Sequence, residues 1–148
     1  MISMFIPIEP VAQMRSRSRA FRDKTGRVRA MNYKAKKQEI AEDNLIGRLM
    51  AICREQNIKP FDQGTPLRLG VRVLKSIPAS WSNKKRERAS TQNIRPVGKP
   101  DLDNYIKHVK DCSKCILWHD DNQVVEYAPG TGKYYSVMPG WAITVEAI

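Results

Sequence analysis

The stretch KPDLDNYIKHVKDCSKCILWHDDNQVV, residues 99–125, reads as a helix start, a helix, a turn and the opening of a strand. Pro100 biases Lys99 toward extended backbone and suits the first turn of a helix. Leu102, Ile106, Val109, Cys112 and Ile116 then recur at helical spacing, on one side of a long helix. HDDN has turn composition, and QVVEYAP after it has the β-formers of a strand.

Working outward, LRLGVRVLKS (residues 67–76) alternates apolar and other residues. It predicts a half-buried strand with Leu67, Leu69, Val71 and Val73 inward and Arg68 and Arg72 outward. Between Tyr33 and Gln56, Ala41, Leu45, Leu49 and Ile52 mark an amphipathic helix, flanked by Ile46, Met50 and Cys53. ISMFIPI reads as a first strand, and SWSNKKRERAS as a short basic helix with Ser80 or Ser82 as N-cap. WAITVEAI reads as a last strand, joined to QVVEYAP by the connection GTGKYYSVMPG. Residues 11–32 lack an apolar period and hold a turn-like DKTGR, which predicts a long basic loop or irregular hairpin. The order β-α-β-(α)-α-β-β implies an α/β (α+β) fold, a single mixed β-sheet packed with two long helices. One domain is expected over residues 1–148.

A chain of 148 residues can bury about 70% of its unfolded surface without staples. No apolar run approaches the roughly 20 residues that span a bilayer, and the start lacks the basic and apolar regions of a signal peptide. Three cysteines form no disulfide framework, which favours a reducing cytoplasm. The net charge is +11. Arg15, Arg17, Arg19, Arg22, Lys24, Arg27, Arg29, Lys34, Lys36 and Lys37 lie in one run with a single acid, Asp23, and Lys84, Lys85 and Arg86 begin a second block. Long Arg-rich runs point to a polyanion, although a solvated face has the same composition.

The acids concentrate elsewhere. Asp101 and Asp103 stand at the helix start, and Asp120 and Asp121 in the turn. Inside a regular helix, residues i and i+2 are about 200° apart, but an N-cap residue has non-helical dihedrals and escapes that objection. A structural reading is available: acids at a helix N-terminus stabilise it by about 0.3–1 kcal/mol, and Asp103 with Lys107 at i+4 makes an ordinary surface pair. The chemical reading takes both charge signs together. A nuclease must bring a polyanion against carboxylates, which is unfavourable unless a divalent cation sits between them. Hard cations such as Mg2+ take a few carboxylate oxygens and keep several waters, and they activate a water and stabilise charge on phosphate oxygens. Lys107 is then placed to stabilise the transition state or the leaving oxygen.

His108, Cys112, Cys115 and His119 have the pattern H-x3-C-x2-C-x3-H, but four ligands along one helix cannot converge on zinc. Cys112 is expected in the core, Cys115 partly buried and both histidines at the surface. Trp81, Trp118 and Trp141 are expected in the core or an interface.

KPDLDNYIKHVKD followed by DDNQVV resembles the RusA family of Holliday junction resolvases. PVAQMRSRSRAF through YKAKKQE and PASWSNKKRERA are similar to further segments of that family, in order along most of the chain. The resemblance implies a Mg2+ site (Mn2+ expected to substitute) held by Asp101, Asp103 and Asp121, with Asp120 beside it, and a required lysine at Lys107. It implies a homodimer in a bacterial cytoplasm, phage or prophage encoded, that nicks two opposed strands of a four-way DNA junction. Arg15, Arg17, Arg19, Arg22, Arg27, Arg29, Lys34, Lys36, Lys37, Lys84, Lys85 and Arg86 would contact DNA. Two alternatives stay open: a nuclease of flaps, forks or other branched DNA, and a non-catalytic basic DNA-binding protein.

Overall fold

The computed structural model describes residues 1–14, 17–33 and 35–148, with Arg17, Asn32 and Tyr33 described by their backbone alone. Strand β1 (Ile2–Ile6) is followed by a hairpin of β2 (Arg17–Arg22) and β3 (Val28–Tyr33), then helix α1 (Lys36–Glu55) and strand β4 (Leu67–Ser76). Helices α2 (Asn83–Ser90) and α3 (Leu102–Ser113) come next, then a 3-10 turn at Asp121–Gln123 and strands β5 (Val124–Tyr127), β6 (Gly132–Ser136) and β7 (Gly140–Ala147).

Strand β4 organises the sheet. Its alternation buries Leu67, Leu69, Val71 and Val73 completely and turns Arg68 and Arg72 to the other face. One edge of β4 pairs antiparallel with β7, which pairs antiparallel with β1. Two short strands pair parallel with β4: β5 along Leu67–Leu69 and β6 along Arg72–Ser76. The mixed sheet packed with two long helices is therefore as expected, with two departures. GTGKYYSVMPG is not a plain connection, because Gly132–Ser136 forms β6 within it. Its two tyrosines carry the β tendency, but the flanking glycines and prolines hide a strand this short. The basic segment is not an irregular loop either, because β2 and β3 form a regular antiparallel hairpin and thus a second, two-stranded sheet.

The hairpin turn follows from local chemistry. Asp23 Oδ1 accepts hydrogen bonds from the Thr25 and Arg27 backbone N–H groups and from the Thr25 hydroxyl. Gly26 supplies the left-handed backbone the turn needs, at φ +80°. In α2, Ser82 is the N-cap and accepts from Lys85 N at 3.3 Å, a bond that stabilises such a helix by about 1 kcal/mol.

Helices α1 and α3 cover the apolar face of the sheet. Leu45, Leu49 and Cys53 from α1 and Tyr105, Ile106, Val109 and Cys112 from α3 meet Trp141, Ile143 and Val145 of β7. Helix α3 is shorter than its apolar pattern suggests. It ends at Ser113, so Ile116 lies beyond it, in a turn where Lys114 bridges to Trp118. The turn drops Leu117 and Trp118 fully into the core.

The histidine expectation fails for one of the pair. His119 is exposed, but His108 is buried, with its ring stacked on Trp141 at 5.8 Å between centroids. Gln38, also buried, donates Nε2–H to His108 Nδ1 at 3.1 Å and to Gln13 Oε1 at 3.0 Å. Its Oε1 accepts from Met14 N, and Gln13 N donates to the Asn104 carbonyl. A buried polar side chain is tolerable when its donors and acceptors are satisfied in this way. The network also ties the chain leading into the hairpin to α3. Cys115 is exposed, not partly buried, and lies apart from core Cys112 in the turn beyond the helix. Trp118 and Trp141 are core residues as expected; Trp81 is half-buried, edge-on to Tyr135.

Candidate active site

Helix α3 begins where the sequence suggests, with Asp101 as N-cap and Asp103 in the first turn. Asp101 has the extended dihedrals of a cap (φ −69°, ψ 152°), yet its carboxylate makes no capping hydrogen bond. Asp103 and Lys107 share a face but form no ion pair. Neither a capping bond nor an ion pair therefore engages these two carboxylates, which keep only the helix-dipole stabilisation of their position.

From Asp103, the positions i+4, i+7 and i+8 add Lys107, Lys110 and Asp111 to one stripe of the helix. This stripe forms one wall of a cavity of about 370 Å3. Ile106 also lines it, and Asp121 and Tyr127 contribute from the 3-10 turn and the end of β5. Two acids from separate elements, Asp103 and Asp121, thus face the same space, with Lys107 beside them.

The position of Asp121 is built from the core outward. Trp118 is fully buried, and its indole Nε1–H donates to Asp121 Oδ1 at 2.9 Å. Asp120 caps the 3-10 turn by accepting from Asn122 N. Gln123 closes the capping box, its Oε1 accepting from Asp120 N at 3.1 Å and from His119 N at 2.9 Å. Its Nε2 donates to the Asp62 and Thr65 carbonyls, fastening the turn to the loop before β4. The two acids of the pair have different surroundings as a result. Asp120 caps the turn and lies 3.7 Å from Lys114 Nζ, outside the cavity that Asp121 lines.

Asp101 does not join Asp103 and Asp121 in the cavity. It lines a neighbouring open depression with Lys99, Pro100 and Asn104. Among the described residues, no three Asp, Glu, His or Cys side chains come together closely enough to hold one metal ion. The two acids that come from separate elements, Asp103 and Asp121, nonetheless have the chemistry of a hard-cation site: they offer only oxygen ligands, and Mg2+ takes one or two carboxylates plus waters and substrate phosphate.

Asp111, Lys110 and Tyr127 escaped the sequence reading. The signal for the first two was present in the i, i+7, i+8 spacing from Asp103; Tyr127 had none, because its approach depends on β5 pairing with β4. Of the basic residues, Arg19, Arg22, Arg27 and Arg29 are exposed on the hairpin and Lys36 and Lys37 at the start of α1. Arg29 is paired with Asp23 at 2.7 Å. On α2, Lys84 and Lys85 are exposed, Lys85 Nζ lying 4.0 Å from the centre of the Trp81 ring, while Arg86 is half-buried and donates to the Ala79 carbonyl. Arg15, Lys34 and the side chain of Arg17 lie outside the described residues.

Residues 7–146 match the family described as Endodeoxyribonuclease RusA. The chain is also similar to the uncharacterized protein YqaN of Bacillus subtilis strain 168. The two are 32% identical over 142 residues, which cover 95% of this chain and 92% of that protein.

Proposed function

Since the chain belongs to the RusA family of endodeoxyribonucleases, we propose that it is a Mg2+-dependent nuclease that resolves four-way DNA junctions during recombination and repair. The single observation that carries this reading is the shared cavity of Asp103, Lys107 and Asp121 on a chain of net charge +11.

Asp103 and Asp121 would hold the cation in the cavity they both line, and Asp101, two residues before Asp103, is the further ligand the family resemblance implies. When bound, Mg2+ or Mn2+ supplies an activated water and offsets charge on the phosphate oxygens. The bond that forms joins the water oxygen to phosphorus, and the P–O3′ bond breaks, leaving 5′-phosphate and 3′-hydroxyl ends. Lys107, one helical turn from Asp103, stabilises the charge on the departing 3′ oxygen. Trp118 keeps Asp121 in one rotamer, so little ordering is left to the moment of reaction. The hairpin and α2 cations draw in the phosphate backbone, which the acids alone would repel. A two-fold homodimer presents two such cavities to a junction of matching symmetry, so opposed strands are nicked as a pair.

The test incubates the protein with a synthetic four-way junction, a flap and a linear duplex side by side, in Mg2+ and in EDTA. Paired symmetric nicks on the junction, abolished by EDTA, are the expected result. Cutting confined to the flap would reassign the substrate, and binding without any cutting would make the protein a DNA-binding module. Binding should weaken with salt at a log–log slope of about −0.9 per phosphate contact, and a flat response would remove the role of the basic surface.

A further inference from the structure

We infer that Arg72, Arg95 and Tyr134, together with Lys133, form a second binding site for DNA phosphates, set against the loop that leads into Asp101. This site rests on the nuclease reading above and adds residues outside the basic runs.

The two guanidinium groups lie over one ring, Arg72 Cζ at 4.4 Å and Arg95 Cζ at 3.7 Å from the Tyr134 centroid. Both arginines are exposed, and neither is in an ion pair among the described residues. The contrast with Arg68, on the same face of β4, is informative. Arg68 is neutralised by Glu126 at 2.8 Å and Glu146 at 2.7 Å, and hydrogen bonds to these two carboxylates raise its pKa. Arg72 instead shares an aromatic ring with a second cation. The ring offsets part of the repulsion between the two guanidinium groups, and with no acid paired to them among the described residues an anion is the matching counter-charge. Guanidinium forks held on a ring are preorganised for phosphate oxygens.

The stack is also wired to the acids. Arg95 donates Nε–H to the Lys133 carbonyl at 2.8 Å. Lys133 Nζ donates to the Gly98 and Pro100 carbonyls at 2.8 and 3.1 Å, fixing the residues just before Asp101. Gly132 makes room for this arrangement, since a Cβ there would lie 3.1 Å from Arg95 Nη2. A strand whose phosphates rest on the stack therefore runs next to the loop that carries Asp101.

The experiment measures binding of the full-length chain to a labelled four-way junction in EDTA, across a range of salt, for Arg95→Gln, Tyr134→Leu and the control Arg68→Gln. Arg95→Gln should raise Kd by about fivefold or more and lower the salt slope by about 0.9. Tyr134→Leu should raise Kd with no change in formal charge, and Arg68→Gln should stay within about twofold of the parent. Circular dichroism melts check that each variant is folded. Arg95 is exposed, so its variant keeps the test alive should Tyr134→Leu unfold. Parent-like Kd and slope in Arg95→Gln would overturn this site while leaving the nuclease reading intact. Failure of the parent itself to bind branched DNA would overturn both.

Discussion

Replacing Asp121 by asparagine should leave the protein folded and bound to DNA but unable to cut it. Asparagine keeps an oxygen for the Trp118 Nε1–H donor, now 2.9 Å from Asp121 Oδ1. The bond changes from charge-assisted to neutral, a loss of about 1 kcal/mol. Alanine would instead orphan the indole N–H of a tryptophan with no exposed surface, at about 1–3 kcal/mol. Either change removes one of the carboxylates that line the cavity, and cleavage should fall by about 100-fold or more. Single-turnover cleavage of a labelled junction and guanidinium unfolding separate the two effects. An asparagine variant that cuts within about threefold of the parent rate would refute the role given to Asp121. An alanine variant as stable as the asparagine one would refute the anchoring by Trp118.

Gln38→Leu removes three hydrogen bonds to Met14, Gln13 and His108 and should cost about 1.5–4.5 kcal/mol in chemical unfolding; a loss under about 0.5 kcal/mol would mean the network contributes nothing. The Asp23 carboxyl is held down from 3.8 to about 2, first by the Thr25 hydroxyl and then by Arg29. Its folded value lies below its unfolded one, so the support it gives the hairpin is present above about pH 4 and fades as pH falls through 2. Amide exchange of β2 and β3 against pH should show this loss, and Asp23→Asn should abolish the dependence. Gly140→Ala would place a Cβ 2.5 Å from the Ile6 carbonyl oxygen and 2.7 Å from the Phe5 ring, where β1 meets β7. It should destabilise by about 1–3 kcal/mol, and a parent-like melting temperature would show that β1 shifts freely.

Periodicity alone determined much of the architecture. The two-residue alternation of Leu67–Val73 and the helical spacing of Leu45 and Leu49 or of Ile106 and Val109 are local consequences of burying one face, and they place α1, α3 and β4 without any knowledge of partners. The acids at the start of α3 and in the HDDN turn were legible for a different reason, because their charge stands out against a basic chain. What the sequence leaves open depends on contacts between distant residues. Strand β6 exists because β4 offers it an edge. His108 is inside because Gln38, from another segment and itself held by Gln13, donates to its ring. The DD pair looks symmetric as text. Only the tertiary structure separates it, through a core tryptophan that draws Asp121 to the cavity and a 3-10 cap that retains Asp120 outside. Local spacing decides which way a side chain faces on its own element, whereas which acids share one cavity is decided by how elements distant in sequence pack.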